Sequence, residues 1–395
     1  MARIVDVETF LVDVPIERRF EQLDAVPART TEVIVRVHAD DGTVGIGTGA
    51  ALHTVRGAVD DSPLRPVARM VVDHLAPAVV GADPIRTEDV WQRMFALTMD
   101  KGSPLNCRAG TQYPKGLERP HIMAAIAAVD IAVWDLVGKL LAQPLWRLLG
   151  GARDAIATYT TGGYYGPDID DAALAAEFAG YVEAGFRAVK LKAGGRPPAV
   201  DVERVRVVRE AVGGEVELFV DGHRGYTIPQ AIEAGHGMES LDVAWYEEPA
   251  PWYDDIEGLG RIVRGVRLPV CAGESEHTAA MAIALIERAG IHVCNFDATK
   301  AGGITEARRV AAYAAHKGVD FAPHHAAHIH AHLAAAVPNG RIVEAHGDPT
   351  RDPLAGRLYR DDQRFEDGHL VLGEQPGLGS TLDDAVLAEV AVRVE

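Results

Sequence analysis

The pattern of apolar and polar residues divides the chain near residue 155. Before it, RIVDVETFLVDV and TEVIVRVHADDGTVGIGTGA alternate with a period of two, which predicts antiparallel strands joined at the DDG turn. Helical patterns follow, and the longest of them, IMAAIAAVDIAVWDLVGKLLAQPLWRLLGG, stops at Gly150–Gly151. The N-terminal part is therefore predicted to be an α+β unit.

After residue 155, short apolar runs alternate with amphipathic helical stretches such as DVERVRVVREAVG and TEARRVAAYAAHKG. This repeated βα organisation, with eight such runs, indicates an α/β fold with a closed parallel barrel. The runs are AIATYTT, AVKLKAG, VELFVDG, VAWYEEP, LPVCAGES, VCNFDAT, VDFAPHH and RIVEAHG. After about Arg351 the chain becomes loop-rich, and we expect this tail to return to the N-terminal unit.

The predicted strands after the first carry, at or near their ends, side chains that can take part in chemistry. These residues recur at intervals of 20 to 29 positions, about the length of one βα unit, so they occupy equivalent places at the C-terminal ends of the strands. Barrel enzymes build their active sites on that face. The predicted ring consists of Lys190, Lys192, Asp221, Glu247, Glu274, Asp297, His324 and Glu344.

Three acids of this ring follow one another on adjacent strands. Asp221, Glu247 and Glu274 would repel one another in a cleft, and a divalent cation removes that repulsion. A ligand set made only of oxygen atoms favours Mg²⁺ over Zn²⁺. We therefore predict one Mg²⁺ per subunit; the alternative is three separate ion pairs at the surface.

Groups suited to acid–base chemistry flank the acids. Lys190 and Lys192 are two residues apart and point to the same side of their strand. Their mutual repulsion is expected to lower at least one lysine pKa towards the working pH, as a general base requires. On the far side, Asp297 is expected to fix the tautomer of the His324 imidazole. Glu344, when protonated, could donate to a substrate oxygen.

Composition narrows the range of partners. The 395 residues are 48% hydrophobic and carry a formal net charge of −18, which argues against nucleic acid or an anionic membrane as a partner. We expect no secretion signal and no membrane span, since no segment approaches roughly 20 consecutive apolar residues. The cysteines Cys107, Cys271 and Cys294 lack metal-binding spacing and indicate a reducing, cytoplasmic setting.

The motifs that carry these residues resemble the enolase superfamily, specifically its mandelate racemase-like subgroup. The resemblance rests on KLK, on the acids of VDG, YEEP and AGES, on DATKAGG, and on PHH, AHLAAAVP and IVE in that order. It implies a (β/α)₇β barrel at residues 126–350, under an α+β capping domain made by residues 1–125 and the returning segment 351–395. The resemblance implies that Asp221, Glu247 and Glu274 bind Mg²⁺. It implies that Lys192 is a base helped by Lys190, and that His324 and Asp297 form a second acid–base dyad. Glu344 would contact the substrate carboxylate.

The step shared within that superfamily is removal of the proton α to a carboxylate, which gives an enediolate stabilised by the metal and its neighbours. Dehydration of a sugar acid to a 2-keto-3-deoxy acid is our first expectation, with His324 expelling the β-hydroxyl. Racemisation or epimerisation of an α-hydroxy or α-amino acid would use the same residues, and the sequence does not separate the two reactions. A zinc amidohydrolase and a non-catalytic binding protein on the same fold are the remaining alternatives.

Further substrate contacts are expected at the rim of the barrel and in the cap. His223, where the subgroup often has Asn, is a candidate acid or hydroxyl contact. Arg18, Arg19 and His53 are candidate contacts from cap loops that would close over the mouth. We also expect a homo-oligomer. A zinc site is a weaker alternative that would use the i, i+4 pairs among His325, His328, His330 and His332.

Overall fold

The computed structural model describes residues 2–15, 29–52, 62, 64–100, 102–106, 118–166, 169–345, 354, 356–361 and 363–395. Three of the candidate substrate contacts, Arg18, Arg19 and His53, lie outside the described residues, as does Cys107. The described chain forms the predicted α+β cap and the predicted barrel.

The cap is an antiparallel sheet covered by helices. Its strands β1 (Ile4–Pro15), β2 (Arg29–Ala39) and β3 (Val44–Leu52) pair in that order. The period-two pattern places Val33, Val35 and Val37 on one face of β2, where they are buried in the core of the cap. The covering helices are α1 (Arg65–Met70), a π-helical turn at Val71–Leu75, α2 (Ala76–Val79), α3 (Thr87–Ala96) and α4 (Arg119–Leu140).

Strand β3 lies directly against α4 because glycines occupy three alternate positions of the strand. A Cβ atom added to any of them would lie 2.1–2.4 Å from a backbone carbonyl oxygen of α4. Three of the facing residues of α4 are alanines spaced one helical turn apart, and Leu136 follows them against Gly45. The glycines are Gly45, Gly47 and Gly49, and the alanines that carry these oxygens are Ala132, Ala128 and Ala124.

Eight parallel strands in the described part of the chain form the barrel, as the eight apolar runs predict. Neighbours along the chain pair from β4 to β10, and β11 pairs with β4. Between β10 and β11 a single bridge joins Phe321 to Gly340. After α5 (Leu145–Leu148), the strands are β4 (Ala155–Gly162), β5 (Ala188–Lys192), β6 (Glu217–Asp221), β7 (Val243–Glu247), β8 (Val270–Ala272), β9 (Val293–Cys294), β10 (Asp320–Phe321) and β11 (Ile342–Glu344). The intervening helices are α6 (Asp171–Glu183), α7 (Pro198–Val212), α8 (Ile228–Met238), α9 (Glu257–Gly265), α10 (Ala279–Ala284) with a π-helical turn at Leu285–Ala289, α11 (Gly303–Lys317) and α12 (Ala327–Ala336).

Helix α4 belongs to both units. Beside its contact with β3, its buried Asp130 accepts hydrogen bonds from the backbone N–H (2.9 Å) and hydroxyl (2.6 Å) of Thr305 at the start of α11. By length and composition α4 could cross a membrane, contrary to our expectation that no segment would, but 94% of its most apolar window is buried inside the protein. Packing on two sides accounts for its apolar character. Residues 125 and 126, the predicted domain boundary, both lie within this helix.

The C-terminal segment contacts both units. Strand β16 (Ala391–Val394), preceded by α13 (Asp384–Val390), pairs with β1 and completes the cap sheet. Strand β14 (His369–Val371) pairs with β13 (Arg364–Glu366) and with the barrel strand β4. A third pair joins β12 (Tyr359–Asp361) to β15 (Ser380–Leu382). The segment therefore returns to the cap and also lines one side of the barrel.

We expect Gly47→Ala to lower the free energy of unfolding by about 1–3 kcal/mol or more, because the added methyl group overlaps backbone atoms of Ala128 and Ala132, each 2.4 Å away. Gly180→Ala in α6 is the control: its Cβ would meet nothing within 4 Å, so this change should stabilise the protein by about 0.5–1 kcal/mol. Urea unfolding followed by circular dichroism measures both. A Gly47→Ala variant as stable as the parent protein would contradict the close packing of β3 on α4.

Candidate active site

The register of the barrel strands brings the predicted ring together. Lys192 lies opposite Asp221 across the β5–β6 pair, and Asp221 lies opposite Glu247 across the β6–β7 pair. Glu274 follows the end of β8 by two residues, and Glu344 is the last residue of β11. Because all these strands are parallel, their C-terminal ends meet at one mouth of the barrel.

Both lysines lie among carboxylates. The Lys192 ammonium donates a hydrogen bond to the Asp221 carboxylate. Lys190 is fully buried, and its Nζ lies 2.6 Å from Glu247 Oε1, 3.7 Å from Glu344 Oε2 and 4.0 Å from Asp221 Oδ2. Each buried ammonium is therefore compensated by acids from other strands, as the burial of a charge requires.

The expectation that repulsion brings at least one lysine pKa down towards the working pH is wrong in this structure. Burial by itself lowers the pKa of Lys192, but the adjacent Asp221 carboxylate outweighs it and the net direction is upward. The pKa of Lys190 is likewise raised, because Glu247 and Glu344 more than offset its burial. Opposite charges in contact outweigh the repulsion between the two ammonium groups.

Asp297 and His324 form the predicted dyad. The Nδ1 atom of His324 lies 3.0 Å from Asp297 Oδ2, and since a carboxylate can only accept, Nδ1–H donates and Nε2 points into the site. Thr299 donates to Asp297 Oδ1 from its backbone N–H (2.9 Å) and its hydroxyl (2.6 Å). Burial would raise the pKa of Asp297, but Lys300 and the hydrogen bond with His324 hold it well below its usual range. Asp297 is thus a fixed carboxylate that orients the imidazole.

Glu344 lies between the two sides of the ring. It is buried, and the Thr161 hydroxyl donates a hydrogen bond to its Oε1. Its Oε2 is 3.7 Å from Lys190 Nζ and 4.0 Å from His324 Nε2. Glu344 is therefore within reach of a ligand that contacts either group.

The proton-carrying groups contact the two ends of the acid series. At one end Lys192 bonds to Asp221, the first acid. At the other end His324 Nε2 lies 3.4 Å from Oε2 of Glu274, the last acid. Glu247 lies between them on β7. A carboxylate ligand held at the three acids by a cation would have an amine on one side and an imidazole on the other.

The chemistry of the three acids fits a hard divalent cation. Burial raises the pKa of Glu247 to about 8, and the charges of Asp221, Glu274 and Glu344 add to this, while Lys190 acts in the opposite direction. Burial is thus the main cause of the raised pKa of Glu247, and the neighbouring acids add to it. Asp221, Glu247 and Glu274 are the residues that would hold Mg²⁺, whose preferred ligands are carboxylate oxygens.

The three acids do not yet converge on one point. Among the described residues, ligand atoms of three metal-binding side chains meet within 4.8 Å at Asp6, Glu8 and His38 of the cap sheet and not at the predicted set. The reason is that Asp221 and Glu247 reach instead to their lysines. A bound cation would have to replace those ammonium groups as the positive partner of the two carboxylates.

His223 lies at the rim beside the first acid. Its backbone has a left-handed φ of +44°, and its N–H donates to Asp221 Oδ1 at 2.7 Å. The residue is exposed, so its ring is accessible to a ligand at the mouth. The remaining candidate contacts, Arg18, Arg19 and His53, lie outside the described residues.

An arginine that the sequence reasoning missed supports the loops behind the acids. Arg224 bridges Glu248 (2.8 Å) and Asp255 (2.6 Å), and Glu248 accepts a further hydrogen bond from the N–H of Gly273 (3.0 Å). Glu248 follows the acid Glu247, and Gly273 precedes Glu274. Arg224 and Glu248 have positive φ angles (+59° and +40°) in this arrangement. The residue types alone do not predict this backbone conformation.

The histidines after His324 have structural partners. His330 is fully buried, its Nε2 accepts from the N–H of Ala298 (3.1 Å), and its Nδ1 donates to the carbonyl of His325 (2.7 Å). It thereby joins the residue after Asp297 to the residue after His324. His332 Nε2 lies 3.0 Å from the Leu378 carbonyl oxygen. These bonds engage both nitrogens of His330 and Nε2 of His332. Among the described residues these histidines also form no group of three metal-binding side chains, which disfavours the alternative zinc site.

Proteins similar to this chain include two named dehydratases and a racemase with bound magnesium. The chain is 29% identical over 362 residues to the arabinonate dehydratase of Saccharolobus solfataricus, with 90% of each chain covered. It is 32% identical to a D-galactonate dehydratase family member of Streptomyces bingchenggensis, with 82% of each chain covered. The crystal structure of a racemase from Streptomyces coelicolor A3(2) with bound magnesium superposes with a TM-score of 0.83 at 30% identity, over 98% of this chain and 100% of the other.

Two sequence profiles of one family cover almost the whole chain. The profile described as "Mandelate racemase / muconate lactonizing enzyme, N-terminal domain" matches residues 6–150, and "Enolase C-terminal domain-like" matches residues 173–386. The predicted fold class, enzyme class and magnesium cofactor agree with these relatives. The chain is therefore an enzyme of the mandelate racemase/muconate lactonizing enzyme family, within the enolase superfamily.

Proposed function

We propose that this enzyme dehydrates a sugar acid to a 2-keto-3-deoxy acid, beginning with removal of the proton α to the carboxylate. The observation that carries the proposal is the contact of Lys192 with the first acid of the series and of His324 with the last. Removal of a proton and loss of a hydroxyl from the neighbouring carbon need two such groups at one substrate. The two related dehydratases support the choice of substrate class.

In this proposal Asp221, Glu247 and Glu274 hold Mg²⁺. The bound ion supplies electrostatic stabilisation of the negative charge that develops on the substrate carboxylate. Asp221 contacts Lys192, and this carboxylate is what holds the lysine in its charged form. With Asp221 engaged as a metal ligand, Lys192 would release its proton to solvent, and the neutral amine would accept the α-proton. Lys190 stays charged between Glu247 and Glu344 and adds positive charge near the carboxylate.

His324 acts on the β-carbon, next to the carbon that loses the α-proton. Its Nδ1–H is held by Asp297, so a protonated ring presents Nε2–H to the β-hydroxyl and the Asp297 carboxylate stabilises the positive charge. Transfer of that proton releases water and leaves an enol, which becomes the keto acid by tautomerisation. Glu344, in its protonated form, donates a hydrogen bond to the substrate carboxylate beside Lys190. His223 at the open rim is proposed as a contact for a substrate hydroxyl.

We also propose a cellular compartment and a class of partners for this enzyme. Among the described residues Cys271 and Cys294 are buried free thiols, which suits a reducing cytoplasm. The substrate is a small carboxylate, and the excess of acidic residues suits neither nucleic acid nor an anionic membrane as a further partner. Assembly into a homo-oligomer stays a prediction.

Lys192→Ala and His324→Asn should each lower keto-acid formation at least ~100-fold, because each removes one of the two proton-transfer groups. The His324→Asn variant should still exchange the substrate α-proton with deuterated water through Lys192, and Lys192→Ala should lose most of this exchange. Proton NMR of the substrate in D₂O with Mg²⁺ measures exchange directly. The surface change Lys317→Ala on α11 is the control, and full activity in both site variants would refute the assignment.

Glu247→Gln should raise the Mg²⁺ concentration needed for half-maximal activity by roughly 10–100-fold, because it removes one anionic ligand of the cation. Glu203→Gln on the exposed face of α7 keeps the total charge change the same and should leave the Mg²⁺ dependence unaltered. The measurement is keto-acid formation during a Mg²⁺ titration of the chelator-treated protein. An identical titration curve for parent and Glu247→Gln would remove Glu247 from the ligand set.

A library of sugar acids incubated with the enzyme and Mg²⁺ should contain a member that yields a 2-keto-3-deoxy acid, seen as its semicarbazone in ultraviolet absorbance. Analysis of the same mixtures by chiral chromatography detects an epimer of the starting acid. Epimer formation without keto acid would replace dehydration by 1,1-proton transfer, which the two flanking bases also permit.

A further inference from the structure

One fully buried side chain near the start of α12 bonds to both loops that carry the dyad. The Nε2 atom of His330 accepts from the backbone N–H of Ala298, the residue after Asp297, at 3.1 Å. Its Nδ1 donates at 2.7 Å to the carbonyl oxygen of His325, the residue after His324. A single ring therefore joins the backbone next to the carboxylate to the backbone next to the imidazole.

The two backbone partners fix the tautomer of this ring. A backbone N–H can only donate, so Nε2 of His330 presents its lone pair to Ala298, and a carbonyl oxygen can only accept, so Nδ1 carries the hydrogen. Burial lowers the pKa of His330, which favours this neutral form, although the Asp297 charge acts in the opposite direction. The ring thus offers one acceptor and one donor at fixed positions, and holds the two loops at a fixed separation.

The backbone between His324 and α12 has a conformation that needs such support. His325 (φ +59°) and Ala326 (φ +42°) both lie in the left-handed region, which residues other than glycine seldom adopt. Backbone of this kind persists where the surrounding structure holds it. The ring of His330 bonds to the His325 carbonyl, and the backbone N–H of His330 bonds to the Ala326 carbonyl at 2.9 Å. We therefore expect this segment to relax, and His324 to turn with it, when the ring is removed.

The dyad depends on the separation of its two loops because a hydrogen bond tolerates little displacement. His324 Nδ1 lies 3.0 Å from Asp297 Oδ2, and this bond directs Nε2 into the site. A shift of about 1 Å in a reacting group can cost roughly 100-fold in rate. On the other side of the site, Lys192 of β5 is held by Asp221 of β6, away from both bonds of the His330 ring.

We propose that His330 is a positioning residue for the second half of the reaction, in which His324 gives its proton to the leaving hydroxyl. The inference rests on the proposed dehydration. Because the His330 ring is buried, it acts through His324 and not on the substrate. It thereby sets how the enediolate divides between two fates: loss of the hydroxyl through His324, or return to the starting acid by reprotonation from Lys192.

His330→Leu removes both ring hydrogen bonds and keeps a large side chain in the same place. It should lower kcat for keto-acid formation about 10–100-fold and change KM less than about threefold, because the positioned proton donor acts in the transition state. In D₂O the ratio of α-deuterated starting acid to keto acid should rise at least ~10-fold, since Lys192 still removes the α-proton. Proton NMR of the recovered acid and the semicarbazone absorbance of the product give the two amounts.

His332→Leu is the matched control. His332 is buried on the same helix, and its Nε2 lies 3.0 Å from the Leu378 carbonyl oxygen and 3.2 Å from Gln363 Nε2, both in the C-terminal segment. The control should keep the ratio of exchange to keto acid of the parent enzyme, whatever its stability.

Two conservative variants separate positioning from a general loss of stability. The amide N–H of His330→Asn lies near the place of Nδ1, and the amide oxygen of His330→Gln lies near the place of Nε2, so each can restore one bond. Both should give ratios between those of the parent and of His330→Leu, and they supply the measurement if the leucine variant does not fold.

A parent-like ratio in the folded His330 variants, or an equal rise in His332→Leu, would overturn the inference while the proposed dehydration stands. Failure of the dehydration itself would be seen in the parent enzyme, as the absence of keto acid from every sugar acid tested.

Discussion

The compensation of charges buried at one end of the barrel is the constraint on which the rest of the structure depends. Parallel strands in register bring lysines and carboxylates to the same mouth, where each buried charge needs an opposite partner. Glu247, Glu344 and Asp221 compensate the charge of Lys190. Arg224 compensates the charges of Glu248 and Asp255. The binding of a cation and an anionic substrate would redistribute these partners without leaving a charge uncompensated.

The scaffold around the mouth limits how far these groups can move. The His330 ring links the loops that carry Asp297 and His324, and Glu248 links the loops that carry two of the predicted metal ligands. The Asp130–Thr305 hydrogen bonds fix α4 of the cap to the start of α11 in the barrel. A cavity of about 220 Å³ beside Glu344 is lined by β2, the start of α12 and the C-terminal segment together, so its shape depends on how the cap is attached to the barrel.

Much of this arrangement could be predicted because parallel barrels repeat a βα unit of nearly constant length. The regular spacing of the residues from Lys192 to Glu344 is sufficient to place them at the ends of successive strands. The eight apolar runs correspond to strands β4–β11. The pairing of the lysines was not predictable in the same way, because Lys190 on β5 reaches Glu247 on β7, two strands away. The support from Arg224 depends on left-handed backbone at Arg224 and Glu248, and the role of His330 depends on two backbone groups that only the fold brings together.

The central claim is that Asp221, Glu247 and Glu274 bind one cation between Lys192 and His324. Anomalous diffraction from crystals grown with Mn²⁺ as a substitute for Mg²⁺ tests it most directly. We expect one strong peak coordinated by these three carboxylates, with Asp221 and Glu247 turned away from their lysines. A peak at Asp6, Glu8 and His38 instead, or no peak while the carboxylates remain bonded to Lys190 and Lys192, would contradict it.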